Sequence, residues 1–191
     1  MYNIVIVGVG GQGTLLASKI LGQLAMNNGY DVRVSEVHGM SQRGGSVVTF
    51  VRISNDQHLY SSIVEQGQAD IVLAFENLEA LRALPYLKKD GTIVINTQEI
   101  LPMPVITGAT AYPADCLARV EAEAKTVEIN AVEIAHECGT YRAANVVLMG
   151  VVAKKLPFSV EEWHKAIEQC VKPKFLEINL NAFDRGYSYN D

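Results

Sequence analysis

Apolar and polar residues at the start of the chain follow the order strand, helix, strand. Residues 2–7 are a continuous apolar run rich in β-branched side chains, which is typical of a strand buried on both faces of a parallel sheet. Leu16, Ile20 and Leu24 recur every four positions, which predicts an amphipathic helix over residues 14–26. Gly29 is placed to cap this helix, and residues 32–37 predict a second strand. We therefore expect a right-handed β-α-β unit.

The remaining chain continues an α/β pattern, with one interruption and a helical end. After a polar loop, residues 47–53 predict a strand where a dinucleotide-binding domain more often has a helix. Residues 59–64 fit either a short strand or an irregular stretch. Further strands are predicted at 69–75, 92–96 and 126–129, and helices at 77–87, 115–124, 130–138, 142–155, 160–170 and 176–186. The pattern predicts a single domain over residues 1–191, with a Rossmann-like, doubly wound, mostly parallel sheet and a helical C-terminal third.

Local signals set several of these boundaries. Asn77 is the expected cap of the helix that follows the strand at 69–75. The stretch KKDG at 88–91 is expected to turn the chain into the next strand. Ser159 and Glu162 have the spacing of a capping box. The helix at 142–155 is apolar on more than one face, so we expect it to be central or covered by a partner.

Composition and charge narrow the class of protein. Hydrophobic residues make up 49% of the chain and charged residues 19%, which is ordinary for a folded domain. The net charge is -5 without a basic run, which disfavours duplex nucleic acid as a partner. The chain has neither a basic leader nor an apolar run of the roughly 18 to 20 residues that a membrane helix needs. We expect a cytoplasmic protein without membrane contact.

The cysteines exclude several kinds of metal and disulfide site. The three residues Cys116, Cys138 and Cys170 are widely spaced and form no C-x-x-C pair. This pattern argues against a disulfide framework and a zinc ribbon. A self-contained iron–sulfur cluster with four cysteine ligands is excluded because one ligand is missing. Free thiols are the expected state.

The stretch GVGGQG, residues 8–13, is the first glycine loop. Gly8, Gly10 and Gly13 match the spacing of the dinucleotide-binding fingerprint, between a predicted strand and a predicted helix. Backbone N–H groups at the start of such a helix favour an anion such as a pyrophosphate. The alternatives are that the glycines pack strand against helix or contact another chain. The candidate ligand-binding residues here are Gly8, Gly10, Gly11, Gln12, Gly13 and Thr14.

The stretch HGMSQRGGS, residues 38–46, is the second glycine loop. Arg43 offers a rigid fork of donors to an anion, and Gly44 and Gly45 permit close approach. In a doubly wound sheet this loop leaves the carboxyl end of the second strand, so we expect it beside the first loop. Its candidate binding residues are His38, Ser41, Gln42, Arg43, Gly44 and Gly45.

Other nucleotide and hydrolase sites fit less well. An NAD site requires an acidic residue near the end of the second strand, and Glu36 is close to that position. The first loop lacks the GK[ST] ending of an ATP-binding P-loop, and the chain has no GxSxG nucleophile elbow. A self-sufficient NAD(P)-dependent oxidoreductase and a non-enzymatic nucleotide-binding module remain as alternatives.

Three stretches together resemble one known family. They are similar to the corresponding parts of the gamma-type subunits of 2-oxoacid:ferredoxin oxidoreductases. The three stretches are GVGGQGTLLASKILG, SEVHGMSQRGGSVVTFVRI and NLNAFDRG. The form HGMSQRGG most resembles the branch of this family that acts on indolepyruvate. The resemblance extends over nearly the whole chain.

The resemblance implies a subunit of a larger enzyme. The complex would oxidatively decarboxylate a 2-oxoacid such as an aryl pyruvate, with coenzyme A accepting the acyl group and ferredoxin the electrons. Thiamine diphosphate and the [4Fe–4S] clusters would lie in a large partner subunit. This chain would then contain no catalytic residue and no firmly bound cofactor. Its glycine loops would contact coenzyme A phosphates or dock the large subunit.

Overall fold

The computed structural model describes residues 1–39 and 44–190, and the strands in these ranges form one six-stranded sheet. The strands are β1 (Tyr2–Val9), β2 (Asp31–His38), β3 (Ser46–Ser54), β4 (Ala69–Ala74), β5 (Leu87–Asn96) and β6 (Lys125–Ile129). Their order is β2-β3-β1-β4-β5-β6. β3 runs antiparallel to both neighbours, and the pairings β1–β4, β4–β5 and β5–β6 are parallel. The expected mostly parallel sheet is confirmed, although β3 separates the two strands of the predicted β-α-β unit.

Helices cover both faces of the sheet, as a doubly wound fold requires. They are α1 (Thr14–Asn27), α2 (Asn77–Ala83), α3 (Met103–Ile106), α4 (Cys116–Glu123), α5 (Ala131–Glu137), α6 (Ala144–Ala153), α7 (Val160–Cys170) and α8 (Leu176–Tyr187). One apolar core joins α1 and α5–α8 to the sheet, and a second core joins α2 and α4 to the other face. The predicted helical C-terminal third is confirmed.

The helix after β4 is shorter than its sequence pattern suggested. α2 ends at Ala83, and a 3₁₀ turn at Leu84–Tyr86 leads directly into β5. Pro85 lies in that turn, and a proline cannot donate the N–H that would continue the helix. The cap is Glu76 rather than the expected Asn77, because the Glu76 side chain accepts the Glu79 N–H at 2.9 Å.

The prediction of a turn at 88–91 is also wrong, because these residues belong to β5. The pairing with β4 shifts between Ala69 opposite Leu87 and Ile71 opposite Thr92. A β-bulge of this kind accommodates extra residues without ending the strand. Gly91 fits the bulge because a Cβ there would lie 2.9 Å from the Ala69 carbonyl oxygen. Residues 59–64 form no regular element.

α6 is the central helix that its apolar sequence predicted. Every residue from Asn145 to Ala153 is buried. α8 crosses it at two glycines, where an added Cβ on Gly150 would lie 2.2 Å from the Phe183 carbonyl oxygen. One on Gly186 would lie 1.9 Å from the Val147 carbonyl oxygen. The two helices therefore pack backbone against backbone.

The predicted capping box is confirmed, because Ser159 and Glu162 form it at the start of α7. All three cysteines are free thiols, and burial raises the pKa of Cys116 and of Cys170. Across the described residues, we find no helix with the length and apolar character needed to cross a membrane.

Candidate functional site

The first glycine loop connects β1 to α1 in a conformation that requires glycine. Gly11 and Gly13 have φ angles of 107° and 90°, in the left-handed region that other residues rarely adopt. α1 follows with no side-chain cap and with no acidic residue in its first turn. Its opening N–H groups, at Thr14 and Leu15, lack a side-chain partner among the described residues. Such an uncapped helix start suits an anion.

The second glycine loop meets the first at the carboxyl edge of the sheet. Gly10 donates its N–H to the Gly45 carbonyl oxygen at 2.8 Å, and Gly44 donates to the Gly10 carbonyl oxygen at 3.4 Å. The predicted convergence of the loops is confirmed for these glycines. His38 ends β2 opposite Val47 and is exposed. Ser41, Gln42 and Arg43 lie outside the described residues, so their binding roles stay predictions.

A cavity of about 380 Å³ lies where these two loops meet, and we call it the loop cavity. Its described lining residues are Gly10, Gly11, Gly13, Thr14, Leu15, Glu36, His38 and Val47. Glu36 accepts a hydrogen bond from the Thr49 hydroxyl at 3.3 Å. The acidic residue that an NAD site would require therefore lies beside the first glycine loop.

A second cavity, of about 650 Å³, lies on the other side of the first glycine loop, and we call it the α6 cavity. Besides Gly11 and Gly13, its polar lining comes from Gln12, Asn96, Gln98, Tyr141, Arg142 and Asn145. It opens between the ends of β1 and β4, where ligands bind in doubly wound folds. The Arg142 guanidinium lies 5.8 Å from the Tyr141 ring centre and forms no ion pair with any described residue. Sequence reasoning missed this cavity.

Gln12 fixes the first glycine loop to the neighbouring strands. Its Oε1 accepts the Val9 N–H at 2.7 Å. Its Nε2 donates to the Phe75 carbonyl oxygen at 2.9 Å and to Gln98 Oε1 at 3.1 Å. Gly8 leaves room for this arrangement, because a Cβ there would lie 2.9 Å from Gln12 Oε1. Both amide N–H bonds of Gln12 are thus used within the protein.

Asn145 connects α6 to the first glycine loop. Its Nδ2 donates to the Gly13 carbonyl oxygen at 3.3 Å, and its Oδ1 accepts the Val146 N–H at 2.9 Å. An added Cβ on Gly13 would lie 2.5 Å from Asn145 Nδ2. The loop and the buried central helix are therefore in direct contact.

A buried carboxylate organises the residues that follow β4. Glu76 is 1% exposed, and its Oε1 accepts the Ile100 N–H at 3.1 Å and the Tyr112 hydroxyl at 2.5 Å. Burial, together with the hydrogen bond to Glu76, raises the pKa of Tyr112 far above its usual value. The phenol therefore stays neutral in alkaline solution while the fold persists.

Phenolate titration by ultraviolet absorbance checks this assignment. The chain has eight tyrosines, and we expect the folded wild type and Tyr112→Phe to show the same absorbance change around pH 10. A smaller absorbance change in Tyr112→Phe than in the wild type would contradict a buried, hydrogen-bonded Tyr112. Because the pKa of Tyr112 is higher in the folded than in the unfolded state, its buried hydrogen bond to Glu76 contributes fully to stability below the unfolded-state pKa. This contribution to the free energy of unfolding is lost as the pH rises towards the folded-state pKa.

Within the described ranges, no group of three or more His, Cys, Asp or Glu side chains is arranged to hold a metal ion. The described part of the site consists of backbone donors, amides, one arginine, one carboxylate, the His38 imidazole and the hydroxyls of Thr14 and Tyr141 around two cavities. Such a site can bind a ligand or another chain. The Thr49 hydroxyl that pairs with Glu36 is fully buried.

Residues 3–189 match the family model described as pyruvate ferredoxin/flavodoxin oxidoreductase. The chain therefore belongs to this family. It is 44% identical to the indolepyruvate oxidoreductase subunit IorB of Pyrococcus horikoshii, over 97% of this chain and 94% of that protein. It is 43% identical to the subunit of the same name from Thermococcus kodakarensis, with the same coverage. The resemblance inferred from the glycine loops is confirmed.

Solved structures agree with the fold. The gamma subunit of a keto/oxoacid ferredoxin oxidoreductase from Geobacter sulfurreducens matches with a TM-score of 0.72 and 26% identity, over 98% of this chain and 96% of that one. A 2-oxoglutarate:ferredoxin oxidoreductase from Magnetococcus marinus shares the fold, with a TM-score of 0.73 and 19% identity. That match covers 98% of this chain and 30% of the other. The same fold therefore also occurs within a longer chain.

Proposed function

We propose that this chain is the small subunit of an indolepyruvate-type 2-oxoacid:ferredoxin oxidoreductase. The observation that carries the proposal is the 44% identity to an indolepyruvate oxidoreductase subunit over 97% of the chain. The assembled enzyme converts an aryl pyruvate and coenzyme A to the acyl-coenzyme A and carbon dioxide, and the proton of the coenzyme A thiol is released. Two electrons pass to ferredoxin, one to each of two molecules.

Thiamine diphosphate and [4Fe–4S] clusters supply the decarboxylation and electron transfer, and the described residues of this chain do not fit either group. Cys116 lies on α4, Cys138 follows α5 and Cys170 ends α7, so the thiols do not form one ligand set. A thiamine diphosphate site would also need a divalent cation, and the described residues contain no group of three or more His, Cys, Asp or Glu side chains that could hold a metal ion. We therefore assign both cofactors to a large partner subunit.

Coenzyme A phosphates fit the chain better than either of those groups. The uncapped first turn of α1 would hold a phosphate with the N–H groups of Thr14 and Leu15, and Gly11 and Gly13 let it approach the backbone. Arg43 would add a positive charge from the second glycine loop. The same surface suits docking of the large subunit. The chain's own contribution is to bind and orient, with no bond made or broken on its side chains.

Purification of the tagged chain from its native host tests the proposal. We expect a larger protein containing thiamine diphosphate and iron–sulfur clusters to co-purify in equal amount. The complex should reduce ferredoxin with indolepyruvate only when coenzyme A is present, and the isolated chain should be inactive. Turnover by the isolated chain, or the absence of such a partner, would overturn the proposal.

Replacement of Arg43 separates the two roles of the second glycine loop. If the guanidinium holds a phosphate, Arg43→Ala should raise the KM for coenzyme A about tenfold, since charged hydrogen bonds contribute about 1.5–3 kcal/mol. If it docks the partner, the dissociation constant of the complex should rise instead. Arg185→Ala is the control, because Arg185 pairs with Glu137 on the exposed surface near the C-terminus. If Arg43→Ala changed neither quantity, the loop would have only a structural role.

A second candidate function is NAD(P) binding, which the position of Glu36 in the loop cavity favours. An acid at this place accepts hydrogen bonds from a ribose in dinucleotide-binding folds. Titration calorimetry of the purified chain with NADH tests it. Absence of binding at millimolar NADH would exclude this function.

A further inference from the structure

A second buried carboxylate lies in the first turn of α2, and it holds the C-terminal end of the second glycine loop. Glu79 is 3% exposed. Its Oε2 accepts the Ser46 hydroxyl at 2.5 Å, and its Oε1 accepts Arg82 Nη1 at 2.6 Å. Neither of the two cavities beside the first glycine loop is lined by Glu79.

Ser46 is the residue through which Glu79 reaches the paired loops. It begins β3 opposite Val9 and directly follows Gly44 and Gly45. Those two glycines carry the backbone hydrogen bonds to Gly10. The Ser46–Glu79 hydrogen bond therefore fixes the point where the second loop joins the first.

The same turn of α2 also supports the first glycine loop. Asn77 donates its N–H to the Gln98 carbonyl oxygen at 3.0 Å. Gln98 Oε1 in turn accepts a hydrogen bond from Gln12 Nε2 at 3.1 Å, and Gln12 holds the first glycine loop in place. The opening turn of α2 is thus linked to both loops, with Glu79 on the second-loop side.

Burial of a carboxylate costs free energy unless it is paired and hydrogen-bonded. Glu79 meets this condition only because Ser46 and Arg82 are both in place. We infer that Glu79 is a positioning residue, which through Ser46 holds Gly44 and Gly45 against the first glycine loop for coenzyme A binding or subunit docking. The inference rests on the proposed function, since it concerns the reaction of the assembled complex.

Three variants of the reconstituted complex test the inference: Glu79→Ala, Ser46→Ala and the double variant. Alanine removes both carboxylate oxygens, whereas a glutamine could still accept from Arg82 with its oxygen and donate to the Ser46 oxygen with its NH2 group. Each single variant should raise the KM for coenzyme A or the dissociation constant of the subunits about tenfold. The kcat of fully assembled, saturated complex should stay within about twofold of wild type. The double variant should equal the single variants, because both remove the same hydrogen bond.

Hydrogen exchange of the chain gives a second measurement that a general loss of stability would not reproduce. The Gly44 amide should exchange faster in both single variants, while amides of α6 and α8 keep wild-type protection. Glu137→Ala is the control, because Glu137 pairs with Arg185 at the surface and with no other residue in the described part of the chain. It should alter none of these quantities.

The outcomes separate this inference from the proposed function. If wild-type subunits assemble and the variants have wild-type constants, Glu79 has no positioning role and the inference is overturned. Additive effects in the double variant would also overturn it. If the wild-type chain itself does not assemble with a large subunit, the proposed function fails instead. If Glu79→Ala does not fold, Ser46→Ala and its exchange pattern still decide the question.

Discussion

Gly186→Ala is expected to unfold the protein under conditions in which the wild type is folded. An added Cβ would lie 1.9 Å from the Val147 carbonyl oxygen and 2.8 Å from the Val147 carbonyl carbon. Both are backbone atoms of the buried central helix, so the clash cannot be relieved by rotating a side chain. Overpacking that can be relieved costs about 1–3 kcal/mol. Here α6 and α8 must separate, and we expect a loss above about 4 kcal/mol, a large part of the stability of a typical domain.

Urea denaturation followed by circular dichroism measures this effect. Gly22→Ala is the matched control, because Gly22 is also a buried helical glycine but a Cβ there lies 3.9 Å from Val34 Cγ2. Alanine should stabilise that position by about 0.5–1 kcal/mol through its better helix propensity. If Gly186→Ala unfolded within about 1 kcal/mol of the wild type, the close crossing of α6 and α8 would be wrong.

Gly13→Ala is expected to disrupt the first glycine loop and with it the activity of the complex. The residue has a φ angle of 90°, and an added Cβ would lie 2.5 Å from Asn145 Nδ2. The backbone strain alone costs about 1–3 kcal/mol. Asn145 must also move, so its hydrogen bond to the Gly13 carbonyl oxygen is lost. We expect the coenzyme A-dependent rate of the reconstituted complex to fall more than about tenfold, together with about 2–4 kcal/mol of stability.

Two further variants isolate the contact with Asn145. Gly11→Ala has a similar φ of 107° but open space around the added Cβ, so it should show the strain without the clash. Adding Asn145→Ala to Gly13→Ala removes the amide and leaves the Asn145 Cβ at an ordinary 3.6 Å. This pair should recover part of the lost stability and rate. If Gly11→Ala were as damaging as Gly13→Ala, the Asn145 contact would not explain the requirement for glycine.

Local periodicity was sufficient to predict most elements of this fold. The apolar run of β1, the four-residue spacing in α1 and the capping box of α7 are all short-range patterns, and each predicted element is present. The position of β3 between β1 and β2 was not predicted, because strand order depends on long-range pairing that the hydrophobic pattern does not encode. The bulge in β5 was missed for the same reason, since KKDG reads locally as a turn.

The candidate site was predicted in part. Its glycine loops were recognised because the spacing of the glycines indicates a tight turn at the end of a strand, which needs glycine at these positions. Gln12 was assigned to ligand binding, although its amide N–H groups are directed to Phe75 and Gln98. Arg142 and Asn145 were missed because α6 and the 3₁₀ turn before it, Tyr141–Ala143, reach the α6 cavity only through tertiary packing. An acidic residue in the first turn of a helix, such as Glu79, is usually exposed. The sequence around Glu79 does not indicate that this carboxylate is buried.

The antiparallel strand β3 makes the second glycine loop an exchangeable part of this architecture. β2 and β3 are held in register by eight residue pairs, from Asp31 opposite Ser54 to His38 opposite Val47, and β3 is paired equally far along β1. The register of β3 is therefore set by its pairing with both neighbours and not by the connection alone. We expect a connection of different sequence between His38 and Gly44 to keep this register, as long as Gly44 and Gly45 keep their hydrogen bonds to Gly10. Such an exchange would change partner or ligand preference without changing the sheet.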